Sequence, residues 1–142
     1  MFSKFITITL FLFTGYNCFG QHDTVTADTI VNYAEKHLGT TYTWGGTSPT
    51  RGFDCSGLVY HVFQKFDIDV PRSSRSYNDF GKEIPIDSAR AGDLILFTGT
   101  NPTDRCVGHL GIVKSNKKGK LHFIHSSSSQ KHYGVCITEY YG

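Results

Sequence analysis

The chain is short of most things that would place it by composition alone. Lysine and arginine number 14 against 12 acidic residues, a net charge of only +2. Without a strong excess of either sign, the chain has no electrostatic footprint for nucleic acid or a charged membrane surface. It has four cysteines, too few and too dispersed for a disulfide framework. Neither Cys-x-x-Cys nor His-Glu-x-x-His spacing occurs, so the common signatures of zinc sites are absent. There are no internal repeats and no linker that would split its 142 residues, which suffice for one domain with its own core. Beyond the first twenty residues no apolar run is long enough to cross a bilayer.

Those first twenty residues are set apart. Lys4 gives a short positive start, Phe5 to Phe13 is apolar but for Thr7 and Thr9, and Cys18-Phe19-Gly20 is a small-x-small site before Gln21. This is the pattern of a secretory signal peptide over 1–20, leaving 21–142 as the exported domain. A competing reading makes Cys18 a lipid-modified N-terminus, but Tyr16 and Asn17 before it fit lipoprotein signals poorly. Export would leave Cys55, Cys106 and Cys136, an odd number, so at least one thiol stays free, while Cys106 and Cys136 could pair.

The stretch around which the rest is organised is 52–66. Leu58, Val59, Val62, Phe63 and Phe66 recur at steps of one, three and four, the stripe of a buried helix. Cys55 sits at its start, where unpaired N–H groups and the helix dipole favour a thiolate. Cys55 can equally be a small buried hydrophobe. Upstream, Ile30, Val31, Ala34 and Leu38 predict a helix over 28–38, capped by Thr26 or Asp28 and stopped at Gly39. A loop over 40–52 holds Tyr42, Trp44 and the Gly45-Gly46 pair. A second short helix is expected from about Ser73 to Phe80. From Ala91 onward the pattern turns to strands: 93–97, 106–114, 120–126 and 134–141, with a turn at Lys117-Lys118-Gly119. Helices first and hairpin-linked strands second give an α+β layout.

A catalytic thiol needs a base within reach and a group to orient it. Of seven histidines, His22 lies in the polar lead-in, His37 and His132 fall near segment ends or in a turn, where a surface position is the default, and His61 lies on a different helix face from Cys55. The informative pair is His109 and His125. In a strand His109 shares a face with Val107 and Val113, and His125 shares one with Phe123 and Ser127. Joined by the Lys117–Gly119 turn, their strands set the two imidazoles side by side, with His109 as base and His125 fixing its tautomer. Two structural histidines in a half-buried sheet are the alternative. A zinc site drawn from His109, His122, His125, Cys106 and Cys136 is disfavoured, because His122 and His125 are three apart and face opposite ways on a strand.

Taken in order, Tyr42-x-Trp44-Gly45-Gly46, Asp54-Cys55-Ser56-Gly57, Pro71-Arg72-Ser73-Ser74, Gly92-Asp93-Leu94, Gly108-His109-Leu110-Gly111-Ile112 and His125-Ser126-Ser127-Ser128 resemble the NlpC/P60 family of cell-wall cysteine peptidases. The resemblance implies a papain-like fold, with N-terminal helices packed on a small antiparallel sheet. It implies Cys55 as nucleophile, His109 as base, His125 as third member and Tyr42 at the oxyanion site. Asp54 and Ser56 match positions that bind a free peptide N-terminus, and Arg72 and Ser73 join the substrate-binding set. The implied substrates are peptidoglycan stem peptides, cut between γ-D-glutamyl and a diamino acid, with no cofactor, no metal and no nucleic-acid partner. The protein would be exported to the periplasm or the medium. A role against neighbouring cells would add an inhibitor or immunity protein as partner. Another γ-glutamyl amide or ester, or a non-catalytic module that only binds wall peptides, are the alternatives. Three features depart from the pattern. Tyr77 stands near a place where the family often has Gln, the 101–105 loop is long, and relatives usually run on past Tyr140-Tyr141-Gly142 through a further strand.

Overall fold

The computed structural model describes residues 3–7, 25–101 and 103–141. Most of the expected leader, with Cys18 and the lead-in His22, lies outside the described residues. Within the leader, the backbone of Ser3–Thr7 forms a strand, β1. Helix α1 spans Ala27–Glu35, with Thr26 accepting from the Thr29 N–H as its N-cap. The short strands β2 (Thr47–Ser48) and β3 (Gly52–Phe53) pair with each other just before helix α2, Cys55–Gln64. Ser74–Asp79 is a 3-10 helix capped by Ser73, tighter than the short helix expected there. Strands β4 (Lys82–Glu83), β5 (Leu94–Thr98), β6 (Val107–Lys117), β7 (Lys120–Ser127) and β8 (Gly134–Tyr140) complete the chain.

Six strands make one sheet in the order β4-β1-β5-β6-β7-β8, every neighbouring pair antiparallel. The two helices lie together on one face and bury the stripe read from the sequence. Leu58, Val59, Val62 and Phe63 pack with Ile30, Val31 and Ala34 of α1 and with Leu94, Leu96, Leu110, Ile112 and Ile124 of the sheet. The opposite face carries a second cluster, Ile95, Phe97, Val113, Leu121 and Phe123. This is the α+β, papain-like arrangement expected.

Two sequence expectations are corrected. His37, placed at the surface by default, is buried at 8% exposure, with its ring edge-on to Tyr33 and Phe53 and 4.9 Å from His61. Position at a helix end says nothing of what distant segments later cover. Val107 does not share a face with His109. A register shift between Phe97 and Thr98 pairs Thr98 with Val107 and Phe97 with His109. The bulge turns Val107 to the helix side, with Leu110, while His109 keeps to the side of Phe97 and Val113.

Candidate active site

Cys55 is the first residue of α2, and Asp54 before it does several jobs at once. Its Oδ1 accepts from the Gly57 N–H at 2.6 Å, capping the helix, and from Ser56 Oγ at 3.3 Å. Its Oδ2 accepts from the Gly45 N–H at 2.9 Å, which holds the Tyr42–Gly46 loop against the helix start. Arg72 closes the group as a fork, donating to both carboxylate oxygens at 3.1 and 2.9 Å and to Ser56 Oγ at 3.0 Å. Gly57 is demanded by this packing, since a Cβ there would fall 1.9 Å from the Gly46 carbonyl oxygen. Asp54, Ser56 and Arg72, named separately in the sequence, are therefore one cluster. Ser73 is outside it: exposed, with its hydroxyl spent on capping the 3-10 helix.

On the β6–β7 hairpin the two histidines meet. His109 Nε2 and His125 Nδ1 are 2.7 Å apart, with the rings nearly perpendicular. Gly111 permits this approach, because a Cβ there would stand 3.0 Å from the His125 Cβ and 2.8 Å from the Phe123 ring. Sequence reading had the pair. It missed the far side of His125, where Nε2 lies 2.9 Å from Thr138 Oγ1 and 3.4 Å from Cys136 Sγ. It also missed Ser126, whose buried hydroxyl donates to the Phe53 carbonyl at 2.7 Å and joins the imidazole strand to the segment leading into Cys55. Strand alternation was the available signal, since Cys136 and Thr138 fall on one face of β8.

Cys55 itself is partly buried against the helix-side cluster. Backbone N–H groups of Ser56, Leu110 and Cys55 act on its sulfur, and Leu110 is the residue next to His109. Among the described residues no hydrogen bond joins the Cys55 thiol to either imidazole. Burial, and then the Asp54 carboxylate, push the thiol above its ordinary value of 9.0. This reverses the lowering expected from the helix end alone, because the N–H groups are outweighed. Burial takes His109 down to about 4 and His125 to about 3, the latter helped by the neighbouring His109. The resting site is thus an uncharged thiol and two uncharged imidazoles. Tyr42 is half-buried close by, and Cys55 and Asp54 help to raise its hydroxyl's pKa after burial does. Cys55, Cys106 and Cys136 are all free thiols. Among the described residues no group of three or more His, Cys, Asp and Glu side chains is gathered as a metal site.

Beside His109 and His125 opens a cavity of about 720 Å³, walled by Phe97, Phe123 and Tyr140 and by Ser127 to Ser129.

Comparison with known proteins identifies the family and the fold. The NlpC/P60 family matches residues 39–141. A gamma-DL-glutamyl hydrolase of Bacillus subtilis is 39% identical over 111 residues, covering 77% of this chain and 25% of its own. A gamma-D-glutamyl-L-lysine dipeptidyl-peptidase of the same organism is 40% identical over 72 residues, covering 51% of this chain and 24% of its own. The crystal structure of the NlpC/p60 domain of the peptidoglycan hydrolase SagA superposes with a TM-score of 0.64 at 32% identity, covering 81% of this chain and 90% of that one. The chain spans about a quarter of the length of these two curated relatives.

Proposed function

The chain belongs to the NlpC/P60 family, and on that premise we propose that it is an exported cysteine endopeptidase of peptidoglycan stem peptides, cutting the bond between γ-D-glutamyl and a diamino acid. The observation that carries the reading is the 2.7 Å bond between His109 Nε2 and His125 Nδ1, with Leu110, the residue after His109, turning its backbone N–H to the sulfur of Cys55. With Nε2 engaged, Nδ1 is the nitrogen of His109 left to act as base. The names of the two curated relatives, both acting on glutamyl bonds, support the substrate class.

In this mechanism His109 Nδ1 takes the thiol proton as Cys55 Sγ attacks the γ-D-glutamyl carbonyl carbon. The Cys55 N–H and the Tyr42 hydroxyl hold the oxyanion of the tetrahedral intermediate. Collapse breaks the C–N bond, and the proton on His109 goes to the leaving amine. Water, deprotonated by His109, then attacks the thioester, releasing the acid and returning the proton to sulfur. Because thiol and imidazole start uncharged, the proton must leave sulfur for His109 before or as the carbonyl is attacked. The Asp54–Ser56–Arg72 cluster sits beside the nucleophile, where it would receive the free N-terminus of the peptide. Export follows from the leader over 1–20. That leader also supplies β1, so its removal would open the β5 edge.

One observation favours a second reading. A raised thiol with no hydrogen bond to His109 suits a module that holds wall peptides without cutting them. Mass spectrometry of purified stem peptides incubated with wild type and Cys55→Ala decides. New fragments split at the γ-D-glutamyl bond, and absent with the variant, are expected. Cleavage elsewhere would move the substrate to another γ-glutamyl amide or ester. Retained muropeptide binding with no cleavage by folded, reduced wild type would overturn the peptidase.

A further inference from the structure

The hydrogen-bond chain in the sheet does not stop at His125. His125 Nδ1 faces His109 Nε2, and its other nitrogen, Nε2, lies 2.9 Å from the Thr138 hydroxyl. Thr138 comes from β8, which pairs with β7 in a register that sets Phe123 opposite Thr138 and His125 opposite Cys136. Thr138 thus reaches its partner diagonally, on the same sheet face.

We propose that Thr138 is a positioning residue: by accepting a hydrogen bond from His125 Nε2–H it sets the tautomer of both imidazoles and leaves His109 Nδ1 free to take a proton. The inference rests on the peptidase reading above. Its logic is proton bookkeeping along the row. Each neutral imidazole carries one N–H and one lone pair. If the His125 proton is on Nε2, its Nδ1 must accept, His109 Nε2 must donate, and His109 Nδ1 is left as a base. If the His125 proton is on Nδ1, every assignment reverses. His109 then carries its proton on Nδ1, where it cannot receive one from Cys55.

Two acceptors converge on His125 Nε2 and select the first pattern. Besides Thr138 Oγ1, Cys136 Sγ is 3.4 Å away, and its own S–H has the His132 carbonyl oxygen as acceptor at 3.9 Å. Cys136 Sγ also lies 3.9 Å from Thr138 Oγ1, giving the threonine hydroxyl proton a destination other than the imidazole. Of the two acceptors, the hydroxyl oxygen is nearer and stronger, since thiol sulfur is a weak acceptor.

The test pairs Thr138→Val, which keeps the shape and removes the acceptor, with Thr138→Ser, which restores it. Nitrogen-15 spectra of ring-labelled histidine report the tautomers in the free protein, so this arm reads without any substrate. Wild type is expected to show His125 protonated at Nε2. Thr138→Val is expected to shift His125 toward the Nδ1–H form and, on stem peptide, to lower kcat roughly tenfold with KM unchanged. Thr138→Ser is expected to return both. An unaltered tautomer in a folded Thr138→Val protein would overturn the proposal, as would an Nδ1–H form in wild type. If wild type proves to be no peptidase, the spectra still test Thr138, so the two failures are told apart.

Discussion

The buried hydroxyl of Ser126 donates to the carbonyl oxygen of Phe53 at 2.7 Å, across 73 positions of sequence. Ser126 follows His125, and Phe53 precedes Asp54 and Cys55. This single bond therefore ties the strand that orients the base to the turn that presents the nucleophile. The Phe53 carbonyl keeps another partner, the Thr43 N–H at 3.0 Å, so the carbonyl is not orphaned if the hydroxyl is lost. Ser126→Ala is expected to cost about 1 kcal/mol of stability, the net worth of one neutral buried hydrogen bond. Activity should fall further than that loss explains, because the spacing between helix start and sheet relaxes. Denaturant melts beside kcat measurements check both halves.

The charge state of the thiol makes a second prediction. In a thiolate–imidazolium pair, alkylation of the cysteine runs at full rate well below neutral pH. Here burial and Asp54 raise Cys55, while burial holds His109 down at about 4. Alkylation of Cys55 should therefore climb through neutral pH and keep rising past the ordinary value of 9.0. Peptide mapping separates Cys55 from Cys106 and Cys136 by mass. A rate already level at about pH 6 would contradict the uncharged pair.

Acid should weaken the fold through its buried and half-buried histidines. His37, His61, His109 and His125 are all lowered from their ordinary 6.5, first of all by burial. Below that value the unfolded chain binds protons that the folded one resists. The contribution of these groups is therefore fully present above 6.5 and lost as pH falls toward the folded values of about 4 and about 3. His37 differs from the other three in having a buried Nε2 with no hydrogen-bond partner. The denaturation midpoint should fall as pH drops from about 6.5 toward about 4, and His37→Phe should make that fall shallower. An unchanged slope in the variant would remove His37 from the account.

How far these features could be read in advance depended on whether their cause was local. The α2 stripe was legible because Leu58, Val59, Val62 and Phe63 repeat at helical spacing, and the stripe alone says which face is buried. The His109–His125 pairing was legible because the turn at Lys117–Gly119 joins two adjacent strands. The bulge at Phe97/Thr98 was not, since nothing in a strand's own pattern marks where its partner gains a residue. Thr138 needed the register of a second hairpin on top of the first. The Cys55 environment misled for a related reason: the helix end is local, but the burial that outweighs it comes from the sheet.

Tyr77 provides the last prediction. It is fully buried, with its ring edge-on to Phe80. Its hydroxyl is one of two buried side-chain groups, among the described residues, without a hydrogen-bond partner. Burial drives its pKa beyond the ordinary range, so the group stays a neutral, unpaired donor. An orphaned hydroxyl costs on the order of 1–3 kcal/mol, and removing it leaves the ring packing untouched. Tyr77→Phe should therefore raise stability by about 1 kcal/mol, an uncommon sign for a core substitution. Cys55 and Arg72 both bear on the Tyr77 hydroxyl electrostatically, which places it near the nucleophile. Urea melts and steady-state kinetics on the same preparation separate two outcomes. Higher stability at unchanged kcat and KM makes the hydroxyl a tolerated defect. Higher stability with a lower kcat means that the orphaned donor finds its partner in the substrate complex, and that the fold pays for it at rest.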